Sequence, residues 1–222
     1  MSDAVVRCAL WASDLTRLRQ PWSPDREYVL VEVRSDRQAE QLARAMVVEE
    51  DDVHERLGRG CRAFVWDWRA EVVSWLWVST GEEAAPPLRR TLHFAKGECH
   101  GWSAGTLEPH RGRGLLTGLL GYAGWRMARA GCRTMWNGIL DENLASRRAH
   151  LAAGFRPVLR LTAVHEPPPT WLWMRPADYA DVRLVEQARG LFGDELAGCP
   201  STEHARAGWP QSNESEVRAW GA

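Results

Sequence analysis

The sequence lacks long apolar runs, paired cysteines and a strong excess of charge of one sign. No apolar segment approaches the roughly 20 residues that a membrane-spanning helix needs, and none of the signal-peptide kind follows the start. The formal net charge of −1 favours neither a nucleic acid nor an anionic membrane as partner. The 5 cysteines are odd in number, scattered and without a Cys-x-x-Cys pair, so we expect a reduced, cytoplasmic protein.

Several catalytic motifs are also missing. The 7 histidines and 5 cysteines show no metal-ligand spacing, so no metal site is predicted. No Gly-x-Ser-x-Gly elbow supports a covalent serine mechanism. The glycine-rich segment after residue 110 is neither a Walker loop, because no Lys-Ser/Thr pair follows it, nor a Gly-x-Gly-x-x-Gly motif.

That segment, His110-Arg111-Gly112-Arg113-Gly114, joins a predicted strand to a predicted helix. Residues 98–107 are mixed apolar without helical spacing, which predicts a strand. From Leu115 onward the apolar residues recur at helical spacing. A turn of this kind aims backbone N–H groups and the positive end of the helix dipole at one point. We therefore expect an anionic ligand there, most plausibly a phosphate or pyrophosphate.

A second motif follows another predicted strand, residues 134–140. Its residues are Asn143, Ser146, His150, Gly154 and Phe155. The two motifs together resemble the GNAT superfamily of acyl-CoA-dependent acyltransferases over residues 97–158. The family's phosphate loop, Arg/Gln-x-x-Gly-x-Gly/Ala, is met by Arg111 and Gly114 and departs at Leu116. His150 stands where the family usually has a tyrosine.

The resemblance implies a mixed α/β (α+β) GNAT fold. A central, mostly antiparallel mixed sheet would contain one splayed parallel pair of strands, with helices on both faces. The thioester arm of acetyl-CoA, or of another acyl-CoA, would enter the gap of that pair. We expect a single domain over residues 1–176, followed by a C-terminal helix and a loose tail over 177–222.

Outside the resembling stretch the prediction is coarser. Segment 5–11 is ambiguous and could be a strand. Further predicted strands are 27–34, 61–68, 71–79, 88–94, 155–164 and 170–174. Further predicted helices are 36–46, 50–57 and 178–192.

The resemblance also implies the cofactor contacts. Backbone groups around Leu107 would pair with the pantetheine arm, and the amides of 112–117 would hold the pyrophosphate. Asn143 would contact the pantetheine arm, cap its helix, or do both. The predicted set is Leu107, Arg111, Gly112, Arg113, Gly114, Leu115, Leu116, Thr117, Asn143, Ser146 and Arg147.

The catalytic residues are less defined. An amine with a pKa near 10.4 must lose a proton before it attacks a thioester, and the leaving thiolate can then be protonated. His150 is the candidate acid, although it could equally be a base or a packed histidine. Many relatives place a carboxylate 11 residues before Arg111, where this chain has His100. His100 is the first candidate base and Glu98 the second, with a structural histidine as the alternative.

The sequence is rich in tryptophan, with 13 residues against 3 tyrosines. Six of them form Trp-x-Trp pairs, 66/68, 75/77 and 171/173, and each pair would share one face of a strand. Core, sheet–helix or dimer contacts explain such pairs most simply. An aromatic pocket for the acceptor or for a longer acyl chain is the alternative.

These observations predict an N-acetyltransferase that moves an acetyl group from acetyl-CoA to a small-molecule amine by direct attack. One alternative is a longer acyl-CoA or acyl carrier protein as donor, with an amine or hydroxyl acceptor. Another is a CoA-binding module without turnover. We expect neither a nucleic acid nor a membrane as partner, and a homodimer through residues 171–173 is possible.

Overall fold

A computed structural model describes residues 4–17, 27–165 and 171–193. The strands are β1 Ala4–Asp14, β2 Tyr28–Glu32, β3 Arg62–Trp68, β4 Glu71–Ser79, β5 Glu82–Ala85, β6 Arg90–His93, β7 Glu98–Thr106, β8 Thr134–Leu140, β9 Arg156–His165 and β10 Trp171–Pro176. The helices are α1 Asp36–Met46, α2 Glu50–Gly58, α3 Leu115–Arg129, α4 Leu144–Ala152 and α5 Val182–Gly190. The predicted loose tail and the proline-rich link at 166–169 lie outside the described residues.

Eight strands form one sheet in the order β10-β9-β1-β8-β7-β4-β3-β2. Among the described strands, β7 and β8 are the one parallel pair, and the other neighbours are antiparallel. The predicted fold class is therefore confirmed. Strand β1 contains the segment that the sequence left ambiguous, and it lies in the interior of the sheet between β8 and β9.

The helices cover both faces, as predicted. One face packs against α3 through a cluster that includes Trp66, Leu119, Met135 and Phe155. The opposite face is also apolar, because alternate residues of each strand point to opposite faces. It carries two separate clusters. One lies under α1 and α2, and the other under the β5–β6 hairpin and α5.

Local signals explain most element boundaries. Helix α1 begins with a capping box, in which the Ser35 hydroxyl accepts from the Gln38 amide and the Gln38 side chain accepts from Ser35. Strand β5 was missed, since the sequence predicted a loop at 81–87, and it pairs with β6 as a separate hairpin. Helix α5 packs against the same core as the sheet, where Phe192 beyond its end is fully buried. No helix in the described ranges is long and apolar enough to cross a membrane.

Candidate active site

The parallel strands β7 and β8 separate part-way along their length. Their pairing extends from Glu98–Thr134 to Gly101–Asn137 and then stops. Beyond that point β7 stays paired with β4 and β8 stays paired with β1. The sheet therefore has a fork, which we define as the point after Gly101 and Asn137, and a gap opens between the two strands beyond it.

A bulge in β7 accompanies the fork. The register with β4 shifts between the pairs Trp77–Trp102 and Trp75–Gly105, and Ser103 in this interval has φ 45°. A bulge bends the strand that carries it and increases its twist. Gly105 is needed here, because a Cβ at this position would lie 2.2 Å from the Trp75 ring.

The glycine-rich turn leads into the N-terminus of α3. Gly112 and Gly114 have φ of 76° and 75°, which glycine adopts without steric cost. The amide of Gly118 donates to the carbonyl of Gly114 at 3.0 Å and closes the first helical turn. The amides of residues 115–117 precede that bond and have no acceptor within the helix. The turn thus has the geometry of an anion site.

Aromatic side chains of β2 and β3 contact this turn from the sheet. The Trp66 indole N–H donates to the Leu115 carbonyl at 2.8 Å, and the buried Tyr28 hydroxyl shares a 3.0 Å hydrogen bond with His110 Nδ1. The Trp68 ring lies 5.0 Å from the His110 ring. Trp66 and Trp68 therefore lie in the sheet–helix interface and position the turn.

The side chains of the predicted cofactor set have local partners. Arg111 Nε donates to the Thr106 carbonyl at 3.1 Å, and Thr117 Oγ1 donates to the Ala149 carbonyl at 3.4 Å. Arg147 donates to the Asp141 carbonyl at 3.0 Å. Arg113 is exposed, and Leu116 packs partly against the core. The Leu107 amide donates to the Val73 carbonyl at 2.9 Å, so a backbone N–H that bonds to a pantetheine arm would have to belong to a neighbouring residue in β7.

Asn143 caps α4, because its Oδ1 accepts from the Ser146 amide at 2.9 Å. The cap was one of the two roles predicted for it, and the pantetheine contact stays a prediction.

His150 is buried at the end of α4, between Trp11 and Phe155. Its Nδ1 lies 2.8 Å from the Ser146 carbonyl, which can only accept, so Nδ1 carries the proton. Nε2 is buried without a partner among the described residues. Burial lowers the pKa of His150 to about 4. The neutral ring thus presents a lone pair at Nε2, whereas the acid role predicted from the sequence needs a proton there.

His100 is fully buried on the face opposite α3. It stacks on Phe94 with ring centroids 5.0 Å apart, and neither ring nitrogen has a partner in the described chain. Burial lowers its pKa to about 4. It belongs to the paired part of β7, opposite Trp136, and borders a cavity of about 20 Å³ lined otherwise by apolar residues and glycine. This environment favours a packed histidine, and its role as base stays a prediction.

Glu98 begins β7 at the end away from the fork. Its carboxylate accepts from the Ala95 amide at 2.9 Å. At about 3.3 Å per residue, four residues separate it from Trp102 by roughly 13 Å. The whole paired segment of β7 therefore separates Glu98 from the fork.

Sequence reasoning missed Asn137 at the fork. Its side chain is buried, and its Oδ1 has no partner among the described residues. It lies over Gly101, where a Cβ would come within 2.6 Å of Asn137 Nδ2. The signal was available, since a lone amide stands within an otherwise apolar strand.

Groups of three or more histidine, cysteine or acidic side chains that could hold a metal ion do not occur in the described ranges.

Residues 16–155, more than half of the chain, match the Acetyltransferase (GNAT) family. No curated protein matches the sequence significantly. A GNAT-family acetyltransferase from Colwellia psychrerythraea superposes with a TM-score of 0.52 at 13% identity, over 73% of this chain and 57% of its own. A GCN5-related N-acetyltransferase from Kribbella flavida gives 0.51 at 20% identity, over 75% and 60%.

A third, from Sphaerobacter thermophilus, gives 0.52 at 15% identity, over 78% and 52%. The chain thus spans between 52% and 60% of the length of these three proteins. At identities this low, the superpositions establish a shared fold alone. The family match covers the turn, the fork and α4. The chain belongs to the GNAT acetyltransferase family.

Proposed function

We propose that the protein is an N-acetyltransferase that moves an acetyl group from acetyl-CoA to the amine of a small molecule. The observation that carries this proposal is the turn at Gly112 and Gly114, which aims free amides at one point beside the open gap between β7 and β8. A cofactor with a pyrophosphate and an extended arm fits these two features together.

In this arrangement the amides of residues 112–117 hold the pyrophosphate, and Arg111 and Arg113 add positive charge beside it. The pantetheine arm extends along the gap toward the fork. Asn137 lies at the fork, and its unpaired Oδ1 is available to accept a hydrogen bond from an amide of the arm.

The reaction is a direct attack in a ternary complex. The amine nitrogen bonds to the thioester carbonyl carbon, the C–S bond breaks, and CoA leaves as a thiolate that then takes up a proton. The attacking amine must first lose a proton. His150 is our candidate acceptor, because its Nδ1–H bond to the Ser146 carbonyl fixes the ring with the lone pair at Nε2. A pKa of about 4 makes it a weak base, so it would take the proton that the nitrogen sheds as the C–N bond forms, after the amine has reached its neutral form.

The first experiment is a titration of the protein with acetyl-CoA and with CoA, followed by calorimetry and thermal shift. A ligand at a hundred times its dissociation constant should stabilise the folded state by about 2.7 kcal/mol. Thiol release with a panel of amines then tests turnover. Absence of binding by any CoA species would contradict the proposal.

The catalytic assignment has its own test. We expect His150→Ala to lower kcat strongly while acetyl-CoA still binds, and His100→Ala to lower it less. Full activity in both variants would remove both residues from the mechanism.

A longer acyl donor is the second candidate, because the apolar lining of the cavity beside His100 suits an alkyl chain, although at about 20 Å³ the cavity would have to widen to admit one. This cavity is lined by Gly138, Leu140 and residues of the β5–β6 hairpin, and β8 residues 138–140 border the gap. A series of donors from acetyl to hexanoyl decides between the two. Rates that rise with chain length would favour the longer donor, and rates that fall would favour acetyl.

A further inference from the structure

Arg56 of α2 lies over two stacked indole rings. The centroids of Trp77 in β4 and Trp102 in β7 are 6.0 Å apart, with 30° between the ring planes. The Arg56 guanidinium carbon lies 5.4 Å from the Trp77 centroid and 5.1 Å from that of Trp102. The two indoles therefore attract the cation through cation–π interactions.

Two N–H groups of this cluster have no acceptor among the residues that the structure describes. Arg56 Nη1 and Trp102 Nε1 are both inaccessible to solvent and lack a partner in the described chain. The neighbouring Trp77 indole, by contrast, donates to Met46 Sδ at 3.3 Å. A buried donor without an acceptor is unfavourable, and more so when the group is charged. The unpaired donors point to an acceptor supplied from outside the protein.

Arg56 also lacks a counter-ion among the described residues. Glu83 is the buried carboxylate of the nearby hairpin, and it lies 3.7 Å from Arg59 and accepts from the Cys61 thiol. Glu50 at the start of α2 pairs with His54. Glu83 and Glu50 are thus engaged with other side chains, and no ion pair to Arg56 occurs in the described ranges, so its positive charge is available to a ligand.

The cluster lies directly beside the fork. Gly101 is the last residue of β7 that pairs with β8, and Trp102 is the next residue. Trp102 shares the face of the sheet that packs against α1 and α2, opposite the face that packs against α3. A ligand held by Trp102 would therefore reach the fork from the α1–α2 face, opposite the face that carries α3 and the glycine-rich turn.

We propose that Arg56 and Trp102 form a subsite for a carboxylate of the acceptor. The acceptor is then an amine that carries a carboxylate in the same small molecule, as an amino acid does. Two N–H donors suit the two oxygens of a carboxylate, and a guanidinium selects an anion over a neutral amide. Arg56 is partly exposed on α2 while its Nη1 is enclosed, so binding of the carboxylate requires the guanidinium to shift on the two rings. This inference rests on the proposed amine acetylation.

The test compares amino acids with their carboxamides as acceptors, using the 20 protein amino acids, acetyl-CoA and thiol release. We expect the free acid to exceed its carboxamide in kcat/KM by roughly 10- to 100-fold, as a hydrogen-bonded charge would give. Arg56→Gln should remove this preference, Arg56→Lys should keep part of it, and Trp102→Phe should reduce it.

Arg69→Gln is the matched control. Arg69 also lies over an indole, 4.4 Å from Trp68, but it pairs with Glu27 on the surface of the protein. The acid preference should persist in this variant.

Equal turnover of acids and carboxamides by the wild type would overturn the inference while leaving the acetyltransferase intact. An equal loss for both acceptor types in Arg56→Gln would overturn it too. If no amino acid is acetylated, the CoA-saturated protein is titrated with N-acetylamino acids. Binding that Arg56→Gln abolishes supports the subsite, and absence of binding overturns it. Failure of CoA itself to bind is a separate result, which contradicts the proposed function.

Discussion

Gly118 sets the distance between α3 and the sheet. A Cβ at this position would lie 2.8 Å from Cζ2 of the fully buried Trp66, whose indole N–H bonds to the Leu115 carbonyl. We expect Gly118→Ala to lower the free energy of unfolding by about 1–3 kcal/mol through overpacking, less the helix-propensity gain of about 1 kcal/mol. It should also weaken CoA binding, because the start of α3 moves.

Chemical denaturation and CoA titration measure these effects. Gly190→Ala in α5 is the control, since a Cβ there meets nothing within 4 Å. A Gly118→Ala protein with wild-type stability and CoA affinity would contradict the prediction.

The two buried histidines make stability depend on pH. Burial lowers the pKa of both His100 and His150 to about 4, against about 6.5 in an unfolded chain. The unfolded state therefore binds more protons between these values. Their contribution to stability is complete above pH 6.5 and is lost as pH falls toward 4. We expect urea denaturation to show that the free energy of unfolding of His100→Leu falls less steeply than that of the wild type between pH 6.5 and 4.

His54→Gln on the surface of α2 is the control, and it should follow the wild type. If the free energy of unfolding of His100→Leu depends on pH as that of the wild type does, His100 does not contribute to the pH dependence of stability.

Single residues show where sequence reasoning stops. The glycines of the turn could be assigned from spacing alone, because positive φ beside a helix start is a local property. The environments of His100 and His150 could not, because they depend on Phe94, Trp11 and other side chains distant in the chain. The same holds for Arg56, whose partners on two other strands no local pattern connects to it.

At the level of elements, two glycine variants can separate the role of the turn before α3 in CoA binding from the general cost of backbone strain. Gly114→Ala should destabilise the protein by about 1–2 kcal/mol, because a residue with a Cβ is forced into the left-handed region. It should also raise the dissociation constant of CoA, since the amides of the turn shift.

Gly60→Ala after α2 is a matched control. Gly60 has φ 85° with open space around its Cβ position, so the strain is comparable. We expect a similar loss of stability with unchanged CoA affinity. Equal CoA affinity in the two variants would show that the turn does not bind the cofactor.

Elements with a strong local signal were predicted well. Helix α1 and strands β4 and β8 have the predicted bounds, because capping residues, tight turns and apolar periodicity mark their ends. Strand β5 was missed since its four residues, Glu82–Ala85, carry weak strand propensity and pair with β6 apart from the main sheet. Here pairing and burial override the local preference.

For the molecule as a whole, β1 joins the two parts of the sheet. It pairs with β8 on one side and with β9 on the other. A variant that lacks residues 1–14 would separate β9 and β10 from the rest and expose the apolar residues of β8. We expect it to lack cooperative unfolding by near-ultraviolet circular dichroism and calorimetry. A cooperative transition and retained CoA binding would contradict this expectation.

The fold class followed from the sequence, whereas the order of strands did not. The motifs after residue 97 establish the parallel pair through the family resemblance. The place of β1 depends on partners at least 120 residues away, and pairing over such distances leaves no periodic pattern in the sequence.

The interior position of β1 also has a consequence for synthesis. Its residues leave the ribosome well before both of its partners, β8 and β9, which lie beyond residue 133. The strand therefore remains unpaired until most of the chain has been translated, and its apolar side chains and open edges are exposed throughout that interval. Pairing between distant segments also folds slowly. We expect nascent chains that end before residue 165 to need chaperone protection, and the sheet to form only after β8 and β9 have been translated.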